Sequence, residues 1–127
     1  MTSAVLDASA LLAYIDGEPG SDMVVSLIAD AIISAVNFSE VVSKLVDRGT
    51  SVDTARVALG VAPVEVIDFD RALAERAGAL IAKTKRQGLS LGDRACLALA
   101  ERERVPVVTG DRAWSKLDLS VEVRLIR

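Results

Sequence analysis

The sequence predicts an α/β domain of three layers, α/β/α, with a short, mostly parallel central sheet. Three observations predict it. Short apolar runs alternate with helix-patterned stretches along the whole chain. The apolar runs have no polar alternation, as expected of strands covered on both faces. The 127 residues are 51% hydrophobic and 26% charged, enough to build a core and too apolar for disorder. Residues 1–127 read as a single domain, with no repeat, linker or low-complexity segment.

Thr2–Leu6 reads as a buried strand that ends at Asp7, and the Ala- and Leu-rich Ala8–Ile15 as a helix. Gly17-Glu18-Pro19-Gly20 is a turn signal, followed by a second helix over Asp22–Ala29. Ala31–Ala35 is the next buried strand. Asn37 then opens a helix, because Asn37 and Glu40 have the spacing of a capping box. Val41, Val42, Leu45 and Val46 supply its inner stripe, and Gly49 ends it. A short helix spans Ser51 to Leu59, and Pro63 separates it from the strand Val64–Ile67. Asp70 caps a long helix running to Arg86, with Leu73, Ala77, Leu80 and Ile81 on one face and Gly88 as its stop. Ser90-Leu91-Gly92-Asp93 leads into a helix whose inner face is Ala95, Cys96, Leu99 and Ala100. Pro106–Thr109 is the fourth strand, a helical turn surrounds Trp114, and Val121–Ile126 is the last strand.

The chain contains no histidine, which removes histidine-based triads, general acid–base pairs and metal ligation. One cysteine, Cys96, gives neither a disulfide nor a zinc set, and it reads as a small core residue. The longest charge-free run, Ala31–Ser39, is nine residues, against roughly 20 for a membrane span. With no signal peptide visible, the expected compartment is the cytoplasm, with no membrane partner. Net charge is −3, from 15 basic and 18 acidic residues, which is not the balance of a dedicated nucleic-acid binder. Four aromatic residues are too few for a base-stacking platform.

The remaining chemistry is carboxylate chemistry. In parallel α/β sheets ligands bind beyond the carboxyl ends of the strands. Asp7 and Asp111 stand at the carboxyl ends of the first and fourth strands. Glu40 and Asp93 fall in first helical turns, and Glu40 directly follows a strand, which places it on the same rim. Four carboxylates on one rim repel, and a hard divalent cation resolves the conflict. Such an ion acidifies a bound water and clamps a phosphodiester, the catalytic scheme that needs no histidine. Each acid also has a plainer reading. Glu40 closes a capping box, Asp93 sits on a helix dipole, and Asp111 serves a turn after Gly110. Asp7 has the weakest such alternative, since a charge between two buried apolar segments is costly unless it is paired.

Val5-Leu6-Asp7-Ala8-Ser9, Asn37-Phe38-Ser39-Glu40-Val41, Leu91-Gly92-Asp93-Arg94-Ala95 and Val108-Thr109-Gly110-Asp111-Arg112 resemble, in order and spacing, the four acidic blocks of the PIN-domain family. Length and block order are similar to the VapC-type toxins of type II toxin–antitoxin systems. The resemblance implies an endoribonuclease dependent on Mg²⁺, with Mn²⁺ as the alternative, that leaves 5′-phosphate and 3′-hydroxyl ends. It implies an RNA substrate and inhibition by a cognate antitoxin protein. It assigns Asp7, Glu40, Asp93 and Asp111 to catalysis and the metal. Some members carry a further acid a few residues after the last one; Trp114 occupies that region here, which weighs against a tightly held second ion.

Around these acids, Ser9 and Thr109 read as hydroxyls that orient carboxylates or a water, with Ser9 equally able to cap the first helix. Arg94 and Arg112, each directly after a site acid, are candidates for holding RNA. Lys83-Thr84-Lys85-Arg86 is a basic cluster with two readings, a solvated helix end or a phosphate contact. Setting the four acids aside leaves 15 basic and 14 acidic residues, so the remaining surface is near neutral. Apolar positions in Met23–Ile28 and Val52–Leu59 serve either the core or a homodimer. Two functional rivals stand beside the nuclease: a non-catalytic PIN-like RNA-binding or regulatory module, and another Mg²⁺-dependent phosphohydrolase.

Overall fold

A computed structural model describes all 127 residues. Five strands form one sheet in the order β3-β2-β1-β4-β5, and every pairing is parallel. The strands are β1 (Val5–Leu6), β2 (Ile32–Ser34), β3 (Glu65–Ile67), β4 (Val107–Thr109) and β5 (Val123–Leu125). The helices are α1 (Ala8–Asp16), α2 (Ser21–Leu27), α3 (Ala35–Asp47), α4 (Val52–Gly60), α5 (Arg71–Ala79), α6 (Ile81–Thr84) and α7 (Leu91–Glu103).

Strand register explains the three layers. Val5 pairs with Ile32 on one side and Val107 on the other, and this row packs against Leu73 and Ala77 of α5 and the apolar face of α7. The next row, Leu6 between Ile33 and Val108, packs on the opposite face against α1, α2, α3 and α4. Two adjacent residues on each central strand therefore feed two separate cores, which is why these strands carry no polar alternation. Cys96 is fully buried in the first of these cores. No helix is long and apolar enough to cross a membrane.

Two helices depart from the sequence expectation. The third helix starts two residues earlier than Asn37, because Ser34 at the end of β2 is its cap and accepts the Val36 amide. Asn37 is consequently inside the helix and its side chain does other work. Its stripe is narrower than expected: Val41 and Leu45 are buried while Val46 is exposed. The helix begun by Asp70 ends at Ala79, because Leu80 turns tightly enough for its amide to reach both Arg76 and Gly78 carbonyls. That turn rotates Ile81 out of the apolar face, leaving it 50% exposed, while Leu80 stays buried. In Met23–Ile28 and Val52–Leu59, Val24, Ile28, Ala55 and Leu59 belong to the core, whereas Met23, Val25, Val52 and Val57 face outward.

Candidate active site

Beyond the Ile33–Leu6–Val108 row, all three central strands turn polar at the same step. The next residues are Ser34, Asp7 and Thr109, and all three are buried. Asp7 caps α1: its backbone is extended and its Oδ1 accepts the Ala10 amide at 2.9 Å. The same oxygen accepts the Ser9 hydroxyl at 2.7 Å, and Oδ2 accepts the Thr109 hydroxyl at 2.5 Å. Each hydroxyl in turn accepts a backbone amide, Ser9 from Gly110 at 2.9 Å and Thr109 from Asp111 at 3.0 Å. A hydroxyl that accepts from an amide is left to donate its one proton, so both are oriented toward Asp7. Ser9 thus orients the carboxylate, and Asp7 itself is the helix cap.

Burial pushes the Asp7 carboxyl above its ordinary range; the hydrogen bonds from Ser9, Thr109 and Ala10 pull it back, and the charge of Asp93 pushes it up again. Burial disfavours the charged form of this acid, and no cation is among the groups that offset it.

Glu40 and Asp93 approach from two helices that pack together, α3 and α7. Asn37 joins them. Its Nδ2 gives one N–H to Glu40 Oε1 at 2.9 Å and the other to the Gly92 carbonyl at 3.0 Å. Both partners are acceptors, so the amide orientation is chemically required, and Oδ1 is left buried with no partner. Gly92 is required as well: a Cβ there would stand 2.5 and 2.6 Å from the two Glu40 carboxylate oxygens. The Asn37–Glu40 pair is a side-chain bond within α3 rather than a capping box. Asp93 forms the capping box instead, with Ser90: its Oδ2 accepts the Ser90 amide at 3.0 Å and its own amide donates to Ser90 Oγ at 3.1 Å. The second carboxylate oxygen of Asp93 is left over. The buried Cys96 thiol is pushed well up, first by burial and then by the charges of Asp7, Asp93 and Glu40. All three carboxylates therefore lie within electrostatic reach of Cys96, in the second turn of α7, and Cys96 stays a neutral thiol.

Asp111 lies at the margin of this group. It is exposed and caps the helical turn Arg112–Lys116, with its Oδ1 accepting the Ala113 amide at 3.0 Å. Its link to Asp7 runs through its backbone amide and Thr109. Arg94 turns away from the rim, its Nη1 donating to the Ala77 carbonyl of α5 at 2.9 Å. Arg112 stays on the surface, where its Nε donates to the Arg127 carbonyl at 3.2 Å.

Residues 4–119 match the family model of the PIN domain. The chain belongs to the PIN-domain family. No curated protein sequence gives a significant match. Among solved structures, DNA-bound VapBC from Salmonella typhimurium is similar at a TM-score of 0.80 and 19% identity, with 100% of both chains covered. A toxin–antitoxin complex from Klebsiella pneumoniae gives a TM-score of 0.77 at 20% identity over 98% of each chain. VapC20 from Mycobacterium tuberculosis, a sarcin–ricin loop cleaving toxin, gives 0.75 at 18% identity over 89% of this chain and 93% of its own. At these identities the likeness is one of fold.

In this PIN domain no three acidic side chains stand close enough to form a preformed metal cage. The donor set nonetheless suits a hard divalent cation of the Mg²⁺ kind, which takes one or two carboxylates and completes its shell with water. Glu40 and Asp93 each have one oxygen fixed by a named donor, and Asp7 has both. Sequence reasoning missed three residues that shape this group of acids and one that lies beside it. Asn37 carried a signal, its three-residue spacing from Glu40, that fits a cap and a side-chain clamp equally. Gly92 and Ser34 needed tertiary contacts to reveal them. Arg127, whose guanidinium lies against Gly110, is far from the rim in sequence and gave no signal.

Proposed function

We propose that this PIN domain is a metal-dependent endoribonuclease, served by Mg²⁺ with Mn²⁺ as the alternative, and the toxin of a toxin–antitoxin pair acting in the cytoplasm. The observation that carries the proposal is Asp7. It is a buried carboxylate raised by desolvation, oriented on both oxygens by Ser9 and Thr109, and placed within the field of Asp93. A protein that only binds RNA has no need of such an anion, and a cation-assisted hydrolase does.

When bound, the divalent ion supplies positive charge against the phosphate and acidifies an attacking water. Asp7, Glu40 and Asp93 would hold that ion, and Asp111 would contribute from the exposed edge. Ser9 and Thr109 keep Asp7 in one orientation. Asn37 and Gly92 keep Glu40 against the start of α7. In-line attack at phosphorus gives 5′-phosphate and 3′-hydroxyl ends. Similar solved structures include a toxin–antitoxin complex and DNA-bound VapBC, which supports a cognate antitoxin as partner. A basic side chain from such a partner, arginine best of all, pairs with the carboxylate rim and excludes the ion.

Incubating RNA with purified protein and Mg²⁺ tests the reading: cleavage that stops with EDTA and is lost in Asp7→Asn supports it, and cleavage that survives both refutes it. The absence of a preformed cage gives the non-catalytic RNA-binding module its one observation. RNA binding with no cleavage in Mg²⁺ or Mn²⁺ would favour that module. Co-expression with the neighbouring gene product, followed by pull-down and an RNase assay of the complex, tests the partner.

A further inference from the structure

The last two residues of the chain lie against glycines beside the site. Ile126 is buried, and its amide donates to the Thr109 carbonyl at 3.0 Å. It fills the space over Gly20, whose φ is +94° and where a Cβ would stand 2.2 Å from the Ile126 carbonyl oxygen. This anchors Arg127 next to the end of β4. A Cβ at Gly110 would stand 2.8 Å from Arg127 Nη2 and 3.0 Å from its Cζ, so the guanidinium rests on the bare Gly110 backbone. Nη1 donates to the Pro19 carbonyl at 3.3 Å, and Arg112 Nε donates to the Arg127 carbonyl at 3.2 Å. None of the molecule's six ion pairs includes Arg112 or Arg127.

Two cations that are in no side-chain ion pair, each held by a main-chain oxygen, therefore sit at the margin of a carboxylate rim. The place is specific: Gly110, on which the guanidinium rests, gives its N–H to Ser9, whose hydroxyl holds Asp7. A phosphodiester approaching Asp7, Glu40 and Asp93 meets negative charge, and a cation beside them offsets that repulsion. The planar guanidinium fork suits this task because it matches phosphate oxygens bidentately. We propose that Arg127, seated on Gly110 with Arg112 beside it, is a substrate-positioning residue that grips a phosphate of the RNA strand next to the carboxylates. The proposal rests on the nuclease reading and adds a residue to it.

Binding of a labelled single-stranded RNA to full-length Asp7→Asn protein, measured over a range of salt concentrations, tests it. Adding Arg127→Gln should weaken binding about fivefold or more and reduce the slope of log K against log salt by about 0.7, the loss of one phosphate contact. Arg127→Lys should restore the slope. Gly110→Ala, which keeps the arginine and displaces its guanidinium, should weaken binding in the same way. In the active protein Arg127→Gln should raise KM more than it lowers kcat. A residue that merely pins the chain end would lower the melting temperature and leave the salt slope alone, and that result overturns the proposal. If the Asp7→Asn parent binds no RNA at all, the nuclease reading fails first and this proposal fails with it.

Discussion

Thr109 donates its hydroxyl to Asp7 at 2.5 Å while accepting the Asp111 amide at 3.0 Å, so one side chain joins the carboxyl ends of β1 and β4 to the turn that follows. Valine has the same shape and no hydroxyl. Thr109→Val leaves a buried carboxylate oxygen and a backbone amide each short of a partner, at about 1–3 kcal/mol for each buried group. Removing the donor also raises Asp7 further, because that hydrogen bond is among the interactions that hold it down. The expected outcome is a lower melting temperature and roughly a 10- to 100-fold loss of metal affinity or activity. Thr109→Ser should keep most of both. Thermal melts and Mg²⁺ titration of cleavage check this.

Asp7 links pH to stability in the metal-free protein. Its folded pKa is raised above the unfolded value, with burial as the main cause. Between the two values the folded state binds more protons than the unfolded state, so stability falls as pH rises through that window. Above the folded pKa the penalty is present in full. Metal-free Asp7→Asn should therefore be more stable than the parent at pH 7, with the gap closing as pH falls toward the unfolded carboxyl value. Mg²⁺ should raise the melting temperature of the parent and leave the variant nearly unmoved, since only a bound ligand stabilises. Melts at several pH values, with and without Mg²⁺, check both statements.

Gly92 separates folding from function. A methyl group there would meet the Glu40 carboxylate at 2.5–2.6 Å, but a glutamate end can swing away at little cost. Gly92 is helical, with no positive φ, so alanine suits its backbone. Gly92→Ala should fold with a melting temperature near that of the parent. Its cleavage rate should nevertheless fall at least tenfold, because Glu40 loses its seat. Circular dichroism melts and an RNA cleavage assay on one preparation check the pair of outcomes.

Much of the sheet was legible because its signal is local. Val5-Leu6, Ile32-Ile33 and Val107-Val108 are apolar pairs closed by Asp7, Ser34 and Thr109, and the register sets those closures side by side. The acids at strand ends could be read from the same pattern. What could not be read was the direction of side chains. Asn37 and Glu40 have one spacing that serves two geometries, and the choice depended on Ser34 capping the helix three residues before Asn37. Arg94 and Arg112 both follow acids, yet a helix turns Arg94 toward α5 while a surface turn leaves Arg112 outside. Ile81 fitted the helical stripe and left it because the backbone tightens at Leu80. Asp111 was placed with the other acids by strand logic, and in the structure its exposed side chain caps the turn that follows.

Arg94 and Arg112 should consequently respond in opposite ways. Arg94 Nη1 bonds the Ala77 carbonyl at 2.9 Å, and its Nε is buried without a partner, so its guanidinium is part of the α5–α7 packing. Arg94→Ala removes that bond and its apolar stem together, and leaves the Ala77 carbonyl to find water, a loss of about 1–3 kcal/mol. RNA affinity and its salt slope should stay at the parent values in the Asp7→Asn background. Arg112→Gln should do the reverse. Its side chain is exposed, so the melting temperature should hardly move, while the salt slope falls by about 0.7 for one phosphate contact. Paired urea unfolding and RNA titrations of the two variants read both quantities. A flattened slope for Arg94→Ala would mean that its guanidinium leaves Ala77 when RNA arrives. An unchanged slope for Arg112→Gln would confine the phosphate grip to Arg127.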